Sequence, residues 1–242
     1  HDYEPTAADV QNIAEADVVV KNGLGLEKWF DDTLKNADSK AFVVDASANV
    51  IAQKADGSPA SGDGHDADPH IWQNPLWARV MVHNIALAFE REDSDNADAY
   101  ATRAAAYEKK LTDLDAEITA QLAPLTNRKV VTNHDAFGYY LTHYRLQLVG
   151  SVIPSFDTQA ELSAKDVAAL VSKIKATKVK AIFAEAALPA KTAEAIGKEA
   201  GVKVVAGDDA LYGDSLGPSG SDGGTYIGAI RHNTKVFVDN LK

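Results

Sequence analysis

The 242-residue sequence contains no cysteine, which excludes disulfide bonds, thiolate metal sites and a cysteine nucleophile. Any metal ion would therefore depend on histidine, aspartate and glutamate side chains. No stretch approaches the run of about 18 apolar residues that a membrane-spanning helix needs. The start of the sequence also lacks the charged and apolar regions of a signal peptide, so we expect that any targeting segment has been removed.

Basic side chains are few, 24 against 35 acidic ones, and the formal net charge is −11. Because phosphate contacts require a basic cluster, this charge argues against nucleic-acid binding. A negative field attracts cations weakly, which affects their encounter with the protein and does not define a site. The hydrophobic content of 45% is enough for one large or two modest domains.

Helix and strand patterns alternate in the first and last parts of the sequence, which is typical of α/β folds with parallel sheets. In the first part the patterns predict strands at 17–20 and 41–44 and helices at 7–15 and 75–90. A further helix is predicted to open at the turn that begins at Asn22 and to run to about residue 34. In the last part they predict strands at 130–132, 147–149, 181–184 and 203–205, and helices at 136–144, 164–177, 190–200 and about 225–241. The predicted fold class is therefore α/β.

A long amphipathic helix is predicted between these two parts, at residues 94–122. Apolar residues recur there at spacings of 3 and 4 from Ala97 to Leu122, and Pro124 ends the pattern. Charged residues occupy the opposite face, so the helix is expected to lie across a surface. We predict an amino-terminal α/β lobe at 1–92, a linking helix at 93–124 and a carboxy-terminal α/β lobe at 125–242.

Four residues with metal-binding side chains stand at the edges of these predicted elements: His1, His70, His134 and Asp214. His134 and Asp214 follow predicted strands, and residues beyond the carboxyl ends of parallel strands can face a crevice. Three imidazoles and one carboxylate suit a divalent cation such as Zn²⁺. Each histidine alone is more often structural than a ligand, and spacing by itself does not bring the four residues together.

Six short phrases follow one another along essentially the whole chain. They are H-D-Y-E-P-T from His1, N-G-L-G-L-E from Asn22, D-P-H-I-W-Q-N-P from Asp68, V-T-N-H-D-A-F-G-Y from Val131, I-F-A-E from Ile182 and G-D-S-L-G from Gly213. In this order they resemble the metal-binding solute-binding proteins of zinc and manganese ABC importers, the cluster A-I receptors with a helical backbone. The phrases around His70 and His134 are the most specific ones.

The resemblance implies two α/β lobes with parallel sheets, joined by one long rigid backbone helix, with a metal site in the cleft between the lobes. It implies that His1, His70, His134 and Asp214 are the metal ligands, two from each lobe. Family members carry several dozen residues before the first ligand histidine, which form the first strand and helix of the amino-terminal lobe. We expect this segment to be missing here.

The resemblance also implies a function that makes and breaks no covalent bond, so we predict a receptor and no enzyme. Such a receptor is a monomer in the periplasm or outside the cell, and it delivers its metal to the membrane permease of an ABC importer. Lipid anchoring at the cell surface is left open. An adhesin that keeps the receptor fold is a further alternative.

Imidazole-rich coordination favours Zn²⁺ as the bound metal, since Mn²⁺ prefers carboxylate-rich octahedral sites. A histidine at the third ligand position also points to zinc within this family. Manganese, alone or together with zinc, is the alternative. Metal-bound imidazoles give their second N–H to a carboxylate or carbonyl, so Glu185 is a candidate partner, with a strand-end cap as the alternative. Asp135, next to His134, is either such a partner or a solvated residue.

Two enzyme classes compete with a receptor. A zinc hydrolase would need three ligands, an open coordination position and a nearby general base. A copper enzyme could use His1 as a bidentate amino-terminal ligand, which requires His1 to be the mature terminus. N-G-L-G-L-E is not a dinucleotide fingerprint, because Lys28 stands where the third glycine belongs.

The remaining histidines and aromatic residues are interpreted as structural. His65 lies in the polar loop 53–68 and is expected to be solvated. His83 is placed on the apolar face of its helix, together with Leu76, Val80 and Leu87, as a core or rim histidine. His143 and His232 are interpreted as structural, and Tyr139, Tyr140 and Tyr144 are predicted to lie in the core.

Overall fold

Two parallel β-sheets organise the protein, and a long helix runs between them in sequence. The computed structural model describes residues 3–61, 66–160 and 162–242. The predicted ligand His1 and the loop residue His65 lie outside the described residues. The α/β fold class with two lobes is confirmed.

The first lobe is built on two strands, β1 (Val18–Lys21) and β2 (Phe42–Asp45), which pair in parallel. Helices α1 (Ala7–Glu15), α2 (Phe30–Asn36) and α3 (Pro75–Glu92) accompany them. Helix α3 begins as its sequence predicts, because the Asn74 side chain accepts a hydrogen bond from the Leu76 N–H at 2.9 Å and Pro75 occupies the first turn. This start fixes the chain directly after His70.

The second lobe is built on a four-stranded parallel sheet in the order β4-β3-β5-β6. Its strands are β3 (Lys129–His134), β4 (Gln147–Ile153), β5 (Ala181–Phe183) and β6 (Lys203–Val205), and its helices are α5 (Gly138–His143), α6 (Ala164–Thr177), α7 (Lys191–Ala200) and α8 (Tyr226–Leu241). Val130 packs in one apolar cluster and Val131 in a second one, as alternation along a strand requires. Strand β3 is central, so its last residue, His134, lies at the middle of the sheet's carboxyl edge.

The long helix α4 (Ala97–Leu122) connects the two lobes, and the prediction of a single long helix is confirmed. A 3₁₀ turn at Ser94–Asn96 precedes it, so the α-helix begins three residues later than predicted. Its buried residues are Leu111, Leu114, Ile118 and Leu122, and the helix packs against α3 and α8. The predicted division of the chain at residues 92 and 124 stays a prediction.

The predicted apolar face of α3 is wrong at His83 and Leu87, whereas Leu76 and Val80 are half-buried. Leu87 is 50% exposed, and the His83 side chain is 60% exposed with its Nδ1 3.5 Å from Oε1 of Glu108 on α4. The buried positions are instead Pro75, Ala78, Ala86 and Ala88. Helix α3 packs against both the β1–β2 sheet and α4, and small side chains are buried where backbones approach closely. The helical spacing of the larger residues therefore predicted the wrong buried positions.

The structural roles predicted for the aromatic residues and two histidines agree with the packing. Tyr139, Tyr140 and Tyr144 are buried. Nε2 of His143 lies 2.7 Å from Oδ1 of Asp115, and Nε2 of His232 donates to the carbonyl of Ala210 at 2.9 Å. None of the helices formed by the described residues combines the length and apolar content that a membrane crossing requires.

Candidate metal centre

His70 is held rigidly at the end of the loop that leads to α3. Its ring Nδ1 lies 2.7 Å from Oδ1 of Asp68, and its backbone N–H donates to the same oxygen at 2.9 Å. Both side chains are fully buried. Because the ionised carboxylate only accepts hydrogen bonds, this geometry places the ring proton on Nδ1 and leaves Nε2 to face the cleft.

His134 repeats this arrangement at the end of β3. Its Nδ1 lies 2.7 Å from Oε1 of Glu185, and its backbone N–H donates to that oxygen at 3.0 Å. Glu185 follows β5, the neighbouring strand, and is 2% exposed. Adjacent parallel strands therefore bring the imidazole and its carboxylate together at one edge of the sheet.

Asp214 reaches the two imidazoles from a segment that follows β6. Its Oδ1 lies 3.5 Å from Nε2 of His70 and its Oδ2 lies 3.3 Å from Nε2 of His134. One ligand atom from each of the three residues falls within 4.8 Å of the others. Two ligand atoms at about 2.0–2.2 Å from a tetrahedral Zn²⁺ would lie about 3.3–3.6 Å apart. The distances from Asp214 to both imidazoles therefore match the span of one ion.

Buried carboxylates dominate the electrostatics of this site. Burial raises the pKa of Asp68, although the hydrogen bonds from His70 oppose that shift. Burial would lower the pKa of His134, but its bonds to Asp214 and Glu185 outweigh this and raise the pKa to about 10. Burial would raise the pKa of Asp214, and its contact with His134 lowers the pKa instead. The site thus favours positive charge among its carboxylates.

The phrase N-G-L-G-L-E contributes to the site through hydrogen bonds. The side chain of Asn22 donates to the carbonyl of Pro69 at 2.9 Å, directly before His70. Both carboxylate oxygens of Glu27 accept backbone N–H groups, from Asn22 at 2.5 Å and from Gly23 at 3.2 Å. Gly23 adopts a φ of +91°, and a Cβ there would overlap the carboxylate of Asp45. The loop is therefore a fixed support for His70.

The structure brings together three of the four predicted ligands, namely His70, His134 and Asp214, while His1 lies outside the described residues. Glu185 lies against His134 as the sequence interpretation proposed. Asp135 accepts a hydrogen bond from the Ser151 hydroxyl, and within the described ranges it makes none to either imidazole.

Sequence reasoning missed the part played by Asp68. An aspartate two residues before a histidine is the pattern of an Asx turn, in which the carboxylate accepts the N–H two positions on. That pattern stands in D-P-H, and it could have identified Asp68 as the partner of His70.

Two small cavities flank Asp214. One, of about 180 Å³, is lined by Tyr3, Leu26, Glu27, Trp29, Trp72 and Asp214. The other, of about 210 Å³, is also lined by Trp72 and includes Gly213, Asp214 and Leu216 among its lining residues. The Asp214 side chain is 25% exposed, whereas both imidazoles are fully buried. Of these three side chains, Asp214 is therefore the one that solvent reaches.

Comparison with known proteins finds relatives along the whole chain. The family model described as "Zinc-uptake complex component A periplasmic" matches residues 1–240. The manganese-binding lipoprotein MntA of Bacillus subtilis is 33% identical over 248 aligned residues, which cover 100% of this chain and 79% of MntA. Some relatives are longer, since the chain spans only 42% of the zinc-binding protein AdcA of Streptococcus pyogenes, at 32% identity over 84% of this chain.

Solved structures with the same fold include two at 28–30% identity. The periplasmic zinc-binding protein TroA of Treponema pallidum gives a TM-score of 0.88 at 28% identity, covering 99% of this chain and 86% of TroA. Lmb of Streptococcus agalactiae, described as a bifunctional protein with adhesin and metal-transporting activity, gives a TM-score of 0.86 at 30% identity, covering 100% and 87%. Together with the family match, these similarities show that the chain belongs to the zinc-uptake component A family, the metal-binding solute-binding proteins of zinc and manganese ABC importers.

Proposed function

We propose that the chain captures one divalent transition-metal ion outside the cytoplasm through His70, His134 and Asp214, and delivers it to the permease of an ABC importer. His1 is the proposed fourth ligand, as the resemblance of its phrase to the family motif implies. No covalent bond is made or broken in this role. The receptor is proposed to act as a monomer in the periplasm or at the cell surface.

The observation that carries this proposal is the paired orientation of the two imidazoles. Asp68 and Glu185 each bind the Nδ1 and the backbone N–H of one histidine, so both Nε2 atoms face Asp214. A carboxylate behind a metal-bound imidazole fixes its tautomer and increases its basicity as a ligand. An ordinary pair of core histidines would need no such duplicated support.

Zinc is the proposed cargo, and manganese is the alternative. Two imidazoles and one carboxylate among the described ligands, with a third imidazole proposed from His1, are a nitrogen-rich set that suits Zn²⁺ better than Mn²⁺. The names of the relatives divide between the two metals, since MntA is called manganese-binding and TroA zinc-binding. Metal competition must therefore decide between them.

A hydrolytic zinc site is the less favoured alternative. It would need a general base beside an open coordination position. In the described part of the chain, Asp68 and Glu185 are the buried carboxylates bonded to the imidazoles, and each already accepts two hydrogen bonds from its histidine. Because these hydrogen bonds occupy both carboxylates, neither is placed to act as a general base, and this supports a binding site over a hydrolytic one. The copper alternative depends on His1 alone and gains no support from the described residues.

Metal content and competition on stripped protein test the proposal. Zn²⁺ and Mn²⁺ are offered together, and each is then titrated against a graded chelator, with His70→Ala and His134→Ala compared to wild type. We expect one tightly held Zn²⁺ per chain, which both substitutions abolish. His83→Ala, at an exposed histidine of α3, is the matched control and should bind as wild type does. Preferential retention of Mn²⁺ would reassign the cargo, and a wild-type chain that holds no metal would overturn the function.

Adhesion is a second candidate role, because Lmb is described as both an adhesin and a metal transporter. Binding of the purified protein to a laminin-coated surface tests it, with and without Zn²⁺. Saturable binding that a folded, metal-free control shares would support a separate adhesive surface. Absence of binding above an albumin control would remove this candidate.

A further inference from the structure

The segment that carries Asp214, residues 211–216, forms hydrogen bonds with side chains of both lobes. From its own lobe, Asn233 on α8 accepts from the Tyr212 N–H and donates to the Tyr212 carbonyl, each at 2.8 Å. From the other lobe, Nε1 of Trp72 and Nε2 of Gln73 both donate to the carbonyl of Gly213, at 3.0 and 2.7 Å. Asp214 is the next residue along the chain, so two side chains from the His70 turn hold the peptide directly before it.

We propose that Trp72 and Gln73 are positioning residues of the metal centre, which hold Asp214 against the imidazoles through the Gly213 carbonyl and thereby set the rate of metal release. This inference rests on the proposed metal-receptor function. It assigns a role to the W-Q pair that follows His70 in D-P-H-I-W-Q-N-P. Both donors act through the backbone before Asp214, Trp72 through the Gly213 carbonyl and Gln73 through the carbonyls of Gly213 and Tyr212.

Gly213 is the point where the supports of all three ligands meet. A Cβ at this position would overlap Oε2 of Glu185, the carboxylate that orients His134. Its carbonyl binds the turn that follows His70, and its peptide continues into Asp214. A displacement of Gly213 would therefore disturb the contact with Asp214 and the packing of Glu185 together.

Trp72 connects this contact to His70 and to α8. Its indole packs edge-on against the His70 ring with 5.2 Å between ring centroids. Its backbone carbonyl accepts a hydrogen bond from the Tyr226 hydroxyl at 2.7 Å, again across the two lobes. The turn at Ile71–Gln73 is thus fixed on both sides, which makes it a firm support for the segment of Asp214.

The hydrogen bonds from Trp72 and Gln73 matter because Asp214 is the least enclosed of the described ligands. Its side chain is 25% exposed between the two flanking cavities, while both imidazoles are fully buried. A neutral hydrogen bond contributes modestly to stability, and the usual range corresponds to about a 2- to 12-fold change in an equilibrium or rate. Losing either donor should therefore accelerate metal release by a factor of that order.

Three substitutions test the inference in the full-length chain. Trp72→Phe removes the indole donor and keeps an aromatic ring, and Gln73→Met removes the amide donor at similar size. Trp29→Phe is the matched control, because Trp29 lines the same 180 Å³ cavity but, in the described part of the chain, makes no hydrogen bond to residues 211–216. Zn²⁺ dissociation is followed by stopped flow with excess chelator, and association by mixing with free Zn²⁺.

We expect Trp72→Phe and Gln73→Met each to raise the Zn²⁺ dissociation rate about 2- to 12-fold, with little change in the association rate. Trp29→Phe should match wild type. The two substitutions are also combined with Asp214→Asn, where their effect on equilibrium affinity should disappear if they act through Asp214. An effect that persists in the Asp214→Asn background would instead indicate general destabilisation and would overturn the inference.

The outcomes separate this inference from the proposed function. A wild-type chain without Zn²⁺ affinity would refute the receptor function itself. Wild-type binding with unchanged dissociation rates in both variants would refute the positioning role and leave the receptor function intact. Circular dichroism and thermal unfolding of each variant confirm that folded proteins are being compared.

Discussion

Glu185→Gln tests whether the charge behind His134 strengthens metal binding. The glutamine keeps a carbonyl oxygen that can accept from Nδ1 and the backbone N–H of His134, which now bind Oε1 at 2.7 and 3.0 Å. Glycine at position 213 leaves room beside the other carboxylate oxygen, so the amide group can occupy its place. The substitution therefore removes one buried negative charge with little change in shape.

Loss of such a partner typically lowers metal affinity about 10- to 100-fold, because the imidazole becomes a weaker base and is oriented less firmly. That loss corresponds to about 1.4–2.8 kcal/mol of binding free energy. The charge also raises the pKa of His134, so protons compete with the metal in the wild type. Removing it relieves part of this competition. We therefore expect the loss of affinity to be smaller at pH 6.5 than at pH 9.

Chelator competition at several pH values measures this effect. Glu117→Gln is the control, since it also removes one negative charge but from a surface ion pair with Arg231 at 2.7 Å. We expect the control to bind Zn²⁺ as wild type does at each pH. Equal affinities of Glu185→Gln and Glu117→Gln, in proteins that unfold at similar temperatures, would refute the role assigned to Glu185.

Two further predictions follow from the site and the core. Metal binding should release close to one proton from His134 up to about pH 9, and about half a proton at pH 10, because its pKa is raised to about 10 and only the neutral imidazole is a ligand. Calorimetry in buffers of different ionisation enthalpy measures this number, and no proton release at pH 8 would contradict it. Ile118→Ala on α4 should lower the free energy of unfolding by about 2–5 kcal/mol, since Ile118 is fully buried, while the folded protein keeps its Zn²⁺ affinity. Urea unfolding checks the first part, and a matched loss of affinity would show that α4 influences the site.

Local sequence signals predicted the elements of the fold well, because their causes are local. Asn74 and Pro75 define the start of α3, and Gly201, with a φ of +74°, ends α7. The buried face of α3 could not be predicted in this way. Its burial depends on how closely the helix approaches a sheet and α4, which the sequence of α3 does not encode by itself.

The same distinction between local sequence signals and tertiary packing applies to the candidate site. His70, His134 and Asp214 stood in recognisable phrases, so the resemblance identified them as proposed ligands before the geometry was known. The hydrogen bonds from Trp72 and Gln73 to Gly213 join residues 141 and 140 positions apart in sequence. No periodicity or spacing rule connects such residues, and only the packing of the two lobes reveals that the turn after His70 supports Asp214.

The supports of the ligands differ in strength, and this difference indicates where release begins. Each imidazole is buried and bound to a carboxylate through both its ring and its backbone. Moving either one would separate a buried charged group from its partner, which typically costs about 3–5 kcal/mol. The peptide before Asp214 is held by neutral hydrogen bonds to the Gly213 carbonyl, and the Asp214 carboxylate, which contacts both imidazoles, is 25% exposed. In the proposed receptor, displacing the peptide at Gly213 is therefore the less costly first step of metal release.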